Sequence, residues 1–161
     1  MSDGVSFFVR GTPMPKGSTT KMPGGAYVPA GSTTSRAKMG QWREDVRHEA
    51  QRHMDGKPPF TGAVRLFVEF SLMPPRTTIR KYQWGWLPHT RKPDVDKLLR
   101  AVCDALTGVV WCDDAQVCVV ALNKHYAWDG ITGAIVNVER IDDVEAQRLA
   151  TARNALLSIA R

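Results

Sequence analysis

Between Pro93 and Gly108 the chain carries an apolar stripe that only one local structure accommodates. Val95, Leu98, Leu99, Val102, Cys103 and Leu106 fall at i, i+3, i+4, i+7, i+8 and i+11, which lines one side of an α-helix. Pro93 tolerates the first turn of a helix but cannot continue one behind it, and Gly108 stands where a C-terminal glycine stops one. The other side of the same helix shows Asp96, Arg100 and Asp104 at successive steps of four.

Around this helix the chain predicts a small α/β (α+β) domain. Val5, Phe7 and Val9 alternate as a short first strand, and Val64, Leu66, Val68, Phe70 and Leu72 alternate with Arg65, Phe67, Glu69 and Ser71 as a half-buried one. Thr34 or Ser35 is expected to cap a helix running to about Met54, with Met39, Trp42, Val46 and Ala50 on its buried side. The β-branched run from Val117 to Leu122 reads as a buried strand. Ala134, Val136 and Val138 form a last strand, expected to pair with it through a turn near Trp128, Asp129 and Gly130. Asp142 with Glu145 starts a C-terminal helix whose Val144, Leu149, Ala152, Leu156 and Ile159 are expected to face inward. The expectation is one domain spanning 1–161, a mixed sheet of about four strands packed by helices.

At 161 residues the chain can bury a core without staples. Three cysteines, Cys103, Cys112 and Cys118, form no C-x-x-C pair, so reduced and largely buried thiols are expected. No charged leader precedes a signal-length apolar segment, and no run reaches the ~18–20 apolar residues of a membrane span. A soluble, cytoplasmic protein without a membrane partner is the expectation. The net charge of +6 and pI of about 9.5 favour polyanionic partners.

Two long connections carry cations without a single acid. Residues 11–34 carry Lys16 and Lys21, and residues 73–93 carry Arg76, Arg80, Lys81, Arg91 and Lys92 with Tyr82, Trp84 and Trp86 interleaved. Cations that neutralise phosphates beside rings that stack on bases suit a nucleic-acid surface. Core or dimer contacts are the alternative for the tryptophans. His48 and His53, five apart in a helix, are not placed as a metal pair.

The acids gather elsewhere. Asp94 and Asp96 stand at the start of the helix after Pro93, and Asp113 and Asp114 follow its end. Capping and turn chemistry account for each pair taken alone: Asp94 as N-cap, Asp96 on the positive end, Arg100 in a surface ion pair, and Asp113 and Asp114 as turn residues. If the strand after Asp114 lies along the start of the helix, however, the two pairs converge. Such carboxylates cost stability unless a cation joins them, and Mg²⁺ suits carboxylate oxygen. No Gly-rich phosphate loop, nucleophile elbow or zinc signature is present.

The block KPDVDKLLRAVCDALTGVVWCDDAQV, from Lys92 to Val117, resembles the signature of the RusA-type Holliday-junction resolvases: D-x-D opening a helix, a D-A-L turn, and D-D-x-Q closing the block. The early P-x-P-K-G, Pro13 to Gly17, is similar as well. The resemblance implies a homodimeric nuclease that uses Mg²⁺ or Mn²⁺ to nick a four-way DNA junction symmetrically. By position it implies Asp94, Asp96 and Asp114 as metal-binding acids and leaves Asp104 structural. Arg100 falls where the family has an essential lysine, and Lys97 where family members commonly have asparagine. Arginine presents a planar fork where lysine presents a compact ammonium, so the exchange is not conservative. Lys97 is therefore the alternative catalytic cation, with Arg100 bracing Asp96 or Asp104, and Asp113 a further neighbour of the metal site. A nuclease preferring flaps, forks or duplex, and a binding module without catalysis, are the alternative functions.

Overall fold

The strand Val64–Leu72 runs through the middle of the molecule. It buries Val64, Leu66, Val68, Phe70 and Leu72 on one side and turns Arg65, Phe67, Glu69 and Ser71 to the other. A computed structural model describes residues 4–17, 19–21, 23–25, 27–29, 32–75, 87–127 and 129–159, with the backbone alone at 19–21, 27–29 and 156–159. In chain order the elements are β1 (Gly4–Arg10), β2 (Thr19–Lys21), β3 (Tyr27–Pro29), α1 (Thr33–Met54), β4 (Val64–Leu72), α2 (Val95–Leu106), a single 3-10 turn (Asp114–Gln116), β5 (Val117–Tyr126), β6 (Gly133–Arg140) and α3 (Asp143–Ile159).

Four strands form one mixed sheet in the order β1-β6-β4-β5, with β5 parallel to β4 and β6 antiparallel to both β4 and β1. The hairpin expected between β5 and β6 does not form. Their connection instead crosses the end of β4, where Ala127 N–H donates to Leu72 O at 2.8 Å and Ser71 Oγ donates to Ile131 O at 3.0 Å. Helices α1 and α2 cover one face of the sheet. Trp42, Val46, Ala50 and Met54 of α1 and Leu98, Ala101, Val102 and Leu106 of α2 meet the inward residues of β1, β4 and β6 in one apolar core. At about 25 cal/mol per Å² of apolar surface, this burial is the main stabilising term.

Several boundaries differ from expectation. Ser32, not Thr34 or Ser35, caps α1 and accepts the Ser35 N–H at 3.2 Å. The 11–34 connection holds the β2-β3 ribbon. Helix α2 ends as expected at Leu106, with Gly108 at φ +78°, a conformation glycine adopts without the Cβ penalty. Among its described side chains the C-terminal helix is not packed inward: Val144 is 62% and Leu149 37% exposed, and Ala152 is exposed, while Leu156 and Ile159 lie outside the described side chains. Its first turn is held by Asp142, which accepts the Glu145 N–H at 2.8 Å, and by an ion pair between Arg65 and Glu145. Cys103 is half-buried, but Cys112 and Cys118 are exposed, contrary to the buried thiols expected. Among the described residues no helix is long and apolar enough to cross a membrane.

Candidate metal and DNA site at the start of α2

Strand β5 runs back along α2, so its first residues lie by the helix end and its last by the helix start. The segment before α2 pairs with that far end of β5: Tyr126 N–H donates to Leu87 O and His89 N–H to Lys124 O, each at 3.0 Å. Lys124 Nζ then donates to Arg91 O and Pro93 O, each at 2.7 Å. What β5 brings to Asp94 is therefore a lysine and not a second pair of acids.

Asp94 occupies the N-cap position of α2 with extended backbone, yet its side chain accepts no capping N–H. An N-cap aspartate ordinarily satisfies one of the orphan amides of the first turn. Here the carboxylate is half-exposed and its partner is Lys97 Nζ, 3.4 Å away in the next turn. Asp96 is exposed and its carboxylate has no partner among the described residues. Asp94 and Lys97 line a cavity of about 510 Å³ together with Lys92, His89, Met14 and Leu72. His89 is 8% exposed, and burial, then the charge of Lys124, lowers its pKa so that the ring stays neutral. The ring packs against Tyr126 at 4.7 Å between centroids, and its Nδ1 is buried without a hydrogen-bond partner.

Asp113 and Asp114 lie at the other end of the helix. Asp114 Oδ1 accepts from Thr107 Oγ1, which follows α2, and from Trp111 Nε1 at 3.0 Å. From Asp96 to Thr107 is about 16 Å along the axis at ~1.5 Å per residue. The expected convergence of the two acidic pairs does not occur, because β5 and α2 run in opposite directions. As the chain is folded, one ion cannot touch Asp94, Asp96 and Asp114 together. Asp113 caps the 3-10 turn, accepting the Ala115 N–H at 2.7 Å. Gln116 completes a capping box and stitches the turn to the chain before β4, donating to Phe60 O at 2.9 Å and Gly62 O at 2.8 Å. This block holds the fold. Among the described residues no three His, Cys, Asp or Glu side chains form a metal-holding group, so a cation at α2 has two carboxylates to use.

The cations divide. Lys97 lines the cavity; Arg100, one turn on, is exposed and braces neither Asp96 nor Asp104. Asp104 pairs instead with Lys16 Nζ at 2.8 Å, and Lys16 N–H donates to Lys97 O at 2.9 Å. The P-x-P-K-G segment thereby lies along α2 and roots the β2-β3 ribbon beside the acids. Arg91 and Lys92 are exposed at the mouth of the site. Arg76, Arg80, Lys81, Tyr82, Trp84, Trp86, Trp128 and the side chain of Lys21 lie outside the described residues. Trp42 and Trp111 are core residues.

Sequence reasoning missed Lys124 and His89. Strand β5 is half-exposed, with Val120 43% exposed, and not the buried strand expected from its β-branched run. A signal for Lys124 was nevertheless present, because it alternates with Leu122 and Tyr126, which pair with Val68 and Leu72, and a charge on that side needs partners.

A family model described as Endodeoxyribonuclease RusA matches residues 11–139. No curated protein matches the chain.

Proposed function

The chain belongs to the RusA endodeoxyribonuclease family, and from that premise we propose that it is a metal-dependent resolvase of four-way DNA junctions whose chemistry is centred on Asp94 and Asp96. One observation carries the reading. An aspartate in the N-cap position leaves its cap bond unmade, next to a second carboxylate without a partner, at the edge of a cavity lined with lysines. Two such acids suit a hard cation, since Mg²⁺ commonly takes one or two carboxylates and fills its shell with water and phosphate oxygens. The bound ion would polarise a phosphodiester and lower the pKa of a water.

The chain's own residues supply the rest. Asp94 and Asp96 hold the cation on the first turn of α2. Lys97, held beside Asp94 in the same cavity, offsets charge developing on the phosphate. Lys92 and Arg91 meet the DNA backbone at the mouth. Asp113 and Asp114 serve the fold.

The homodimer is part of the same proposal. Two symmetric cuts call for two equivalent sites related by a two-fold axis. The face of the sheet opposite α1 and α2 offers Phe8 and Ile135, 40% and 41% exposed, with Phe67 of β4 on the same side. The test is a competition assay in Mg²⁺ among a synthetic four-way junction, a flap, a fork and a plain duplex. Paired nicks in the junction support the reading; preference for another substrate replaces the junction, and binding without cutting removes the enzyme.

A further inference from the structure

Lys124 is a half-buried charge on the core side of β5, opposite Phe70 in the ladder and between Leu122 and Tyr126 on its own strand. A methionine or leucine would occupy that place without the cost of desolvating an ammonium. Its three bonds show what the charge accomplishes. Its carbonyl accepts the His89 N–H at 3.0 Å, and its ammonium donates to Arg91 O and to Pro93 O at 2.7 Å each. Hydrogen bonds from an ionised donor at that length are the strong kind. Pro93 O belongs to the peptide group whose nitrogen is that of Asp94. Holding that oxygen fixes the plane from which the Asp94 side chain departs, and the Asp94 carboxylate has no cap bond to fix it otherwise.

We infer that Lys124 is a positioning residue: by clamping the carbonyls of Arg91 and Pro93 it aims the Asp94 carboxylate at the cation it shares with Asp96. The inference rests on the reading of that pair as a cation site and adds what orients it. Two roles of the lysine predict opposite signs. As a bare positive charge near the site it opposes a bound cation, so its removal would tighten metal binding. As the clamp on Asp94 it preorganises a ligand, so its removal weakens metal binding, as loss of a ligand-orienting partner does elsewhere.

The experiment is a Mn²⁺ titration of the DNA-free protein, followed by the electron paramagnetic resonance signal of free Mn²⁺. Wild type, Lys124→Met, Asp94→Asn and the double variant are compared, with thermal melts to establish folding. The clamp predicts that Lys124→Met weakens Mn²⁺ binding about tenfold and changes nothing further once Asp94 is asparagine. Junction cleavage should lose kcat more than KM. Lys124→Gln, neutral but still a donor, should fall between, and its ratio to wild type decides if the methionine variant does not melt cooperatively. Equal or tighter Mn²⁺ binding in the neutral variants, or the same weakening in the Asp94→Asn background, overturns the inference. Asp94-dependent Mn²⁺ binding in a wild type that leaves junctions uncut contradicts the nuclease reading and leaves the Lys124 comparison standing. Mn²⁺ uptake unaffected by Asp94→Asn overturns both.

Discussion

Lys97 Nζ lies 3.4 Å from Asp94 Oδ2 across the first turn of α2, so the first acid of the site and a cation share the same cavity. The pair is too exposed to stabilise the helix by more than ~0.5 kcal/mol, and its consequence is for chemistry. On the proposed mechanism a lysine held there turns from Asp94 to a phosphate. Lys97→Ala should lower single-turnover cleavage of a junction by roughly 10²-fold at saturating DNA, while Arg100→Ala, which alters an exposed side chain outside the cavity, should cost much less. A larger loss in Arg100→Ala would reverse the assignment of the catalytic cation.

Asp114 gives a stability prediction. Its Oδ1 is the acceptor for the indole N–H of Trp111, a fully buried side chain. Asp114→Ala leaves that donor without a partner, at a cost of about 1–3 kcal/mol measurable by urea denaturation. Asp94→Ala removes no capping bond and should move the midpoint far less. The opposite order would show that Asp94, not Asp114, holds the fold.

Acid should weaken the fold through His89. Burial and the Lys124 charge lower its folded pKa below the ordinary 6.5. Above 6.5 the ring is neutral in both states and adds no pH dependence. As pH falls through 6.5 the unfolded chain takes up the proton first, so stability drops until the folded pKa is passed, then levels. His89→Phe should flatten that part of the melting-temperature profile between pH 7.5 and 5. An unchanged slope would place the acid sensitivity elsewhere.

The thiols should separate by reactivity. Burial, with the charges of Asp114 and Asp104, pushes the Cys103 thiol up to about 12, whereas Cys112 and Cys118 are exposed. Ellman's reagent at pH 8 should titrate two thiols quickly and the third only slowly in the native protein, since the thiolate is the nucleophile. Three equally fast thiols would mean that α2 does not protect Cys103.

The proposed dimer is open to a direct check. Ile135→Asp puts a charge on the sheet face opposite α1 and α2, at a side chain already 41% exposed. Light scattering at micromolar concentration should then report a monomer where wild type is a dimer. A wild-type monomer, or a variant that stays dimeric, would move or remove the interface.

The sequence carried the parts whose signal is periodic. The stripe from Val95 to Leu106 and the alternation from Val64 to Leu72 specify a buried side, and both elements appear where their spacing places them. Period does not say which strand neighbours which, so the insertion of β6 between β1 and β4 was invisible, and a short connection near Asp129 suggested a hairpin instead. The relative direction of β5 and α2 is equally absent from spacing, and it alone separates Asp114 from Asp94. Val144 and Leu149 show the reverse failure: apolar residues in a capped helix imply a buried side, but both side chains are exposed. For the proposed site, the D-x-D pattern nominates Asp94 and Asp96, while the bonds from Lys124 to Arg91 O and Pro93 O depend on a loop pairing with a strand more than 30 residues later in the chain.

The most direct measurement of the central claim is single-turnover cleavage of a synthetic four-way junction in Mg²⁺ by wild type and Asp94→Asn, with junction affinity measured in parallel without metal. Unchanged or tighter binding by the variant and at least ~10²-fold slower cleavage are expected. An Asp94→Asn protein that binds and cuts as wild type does would contradict that claim.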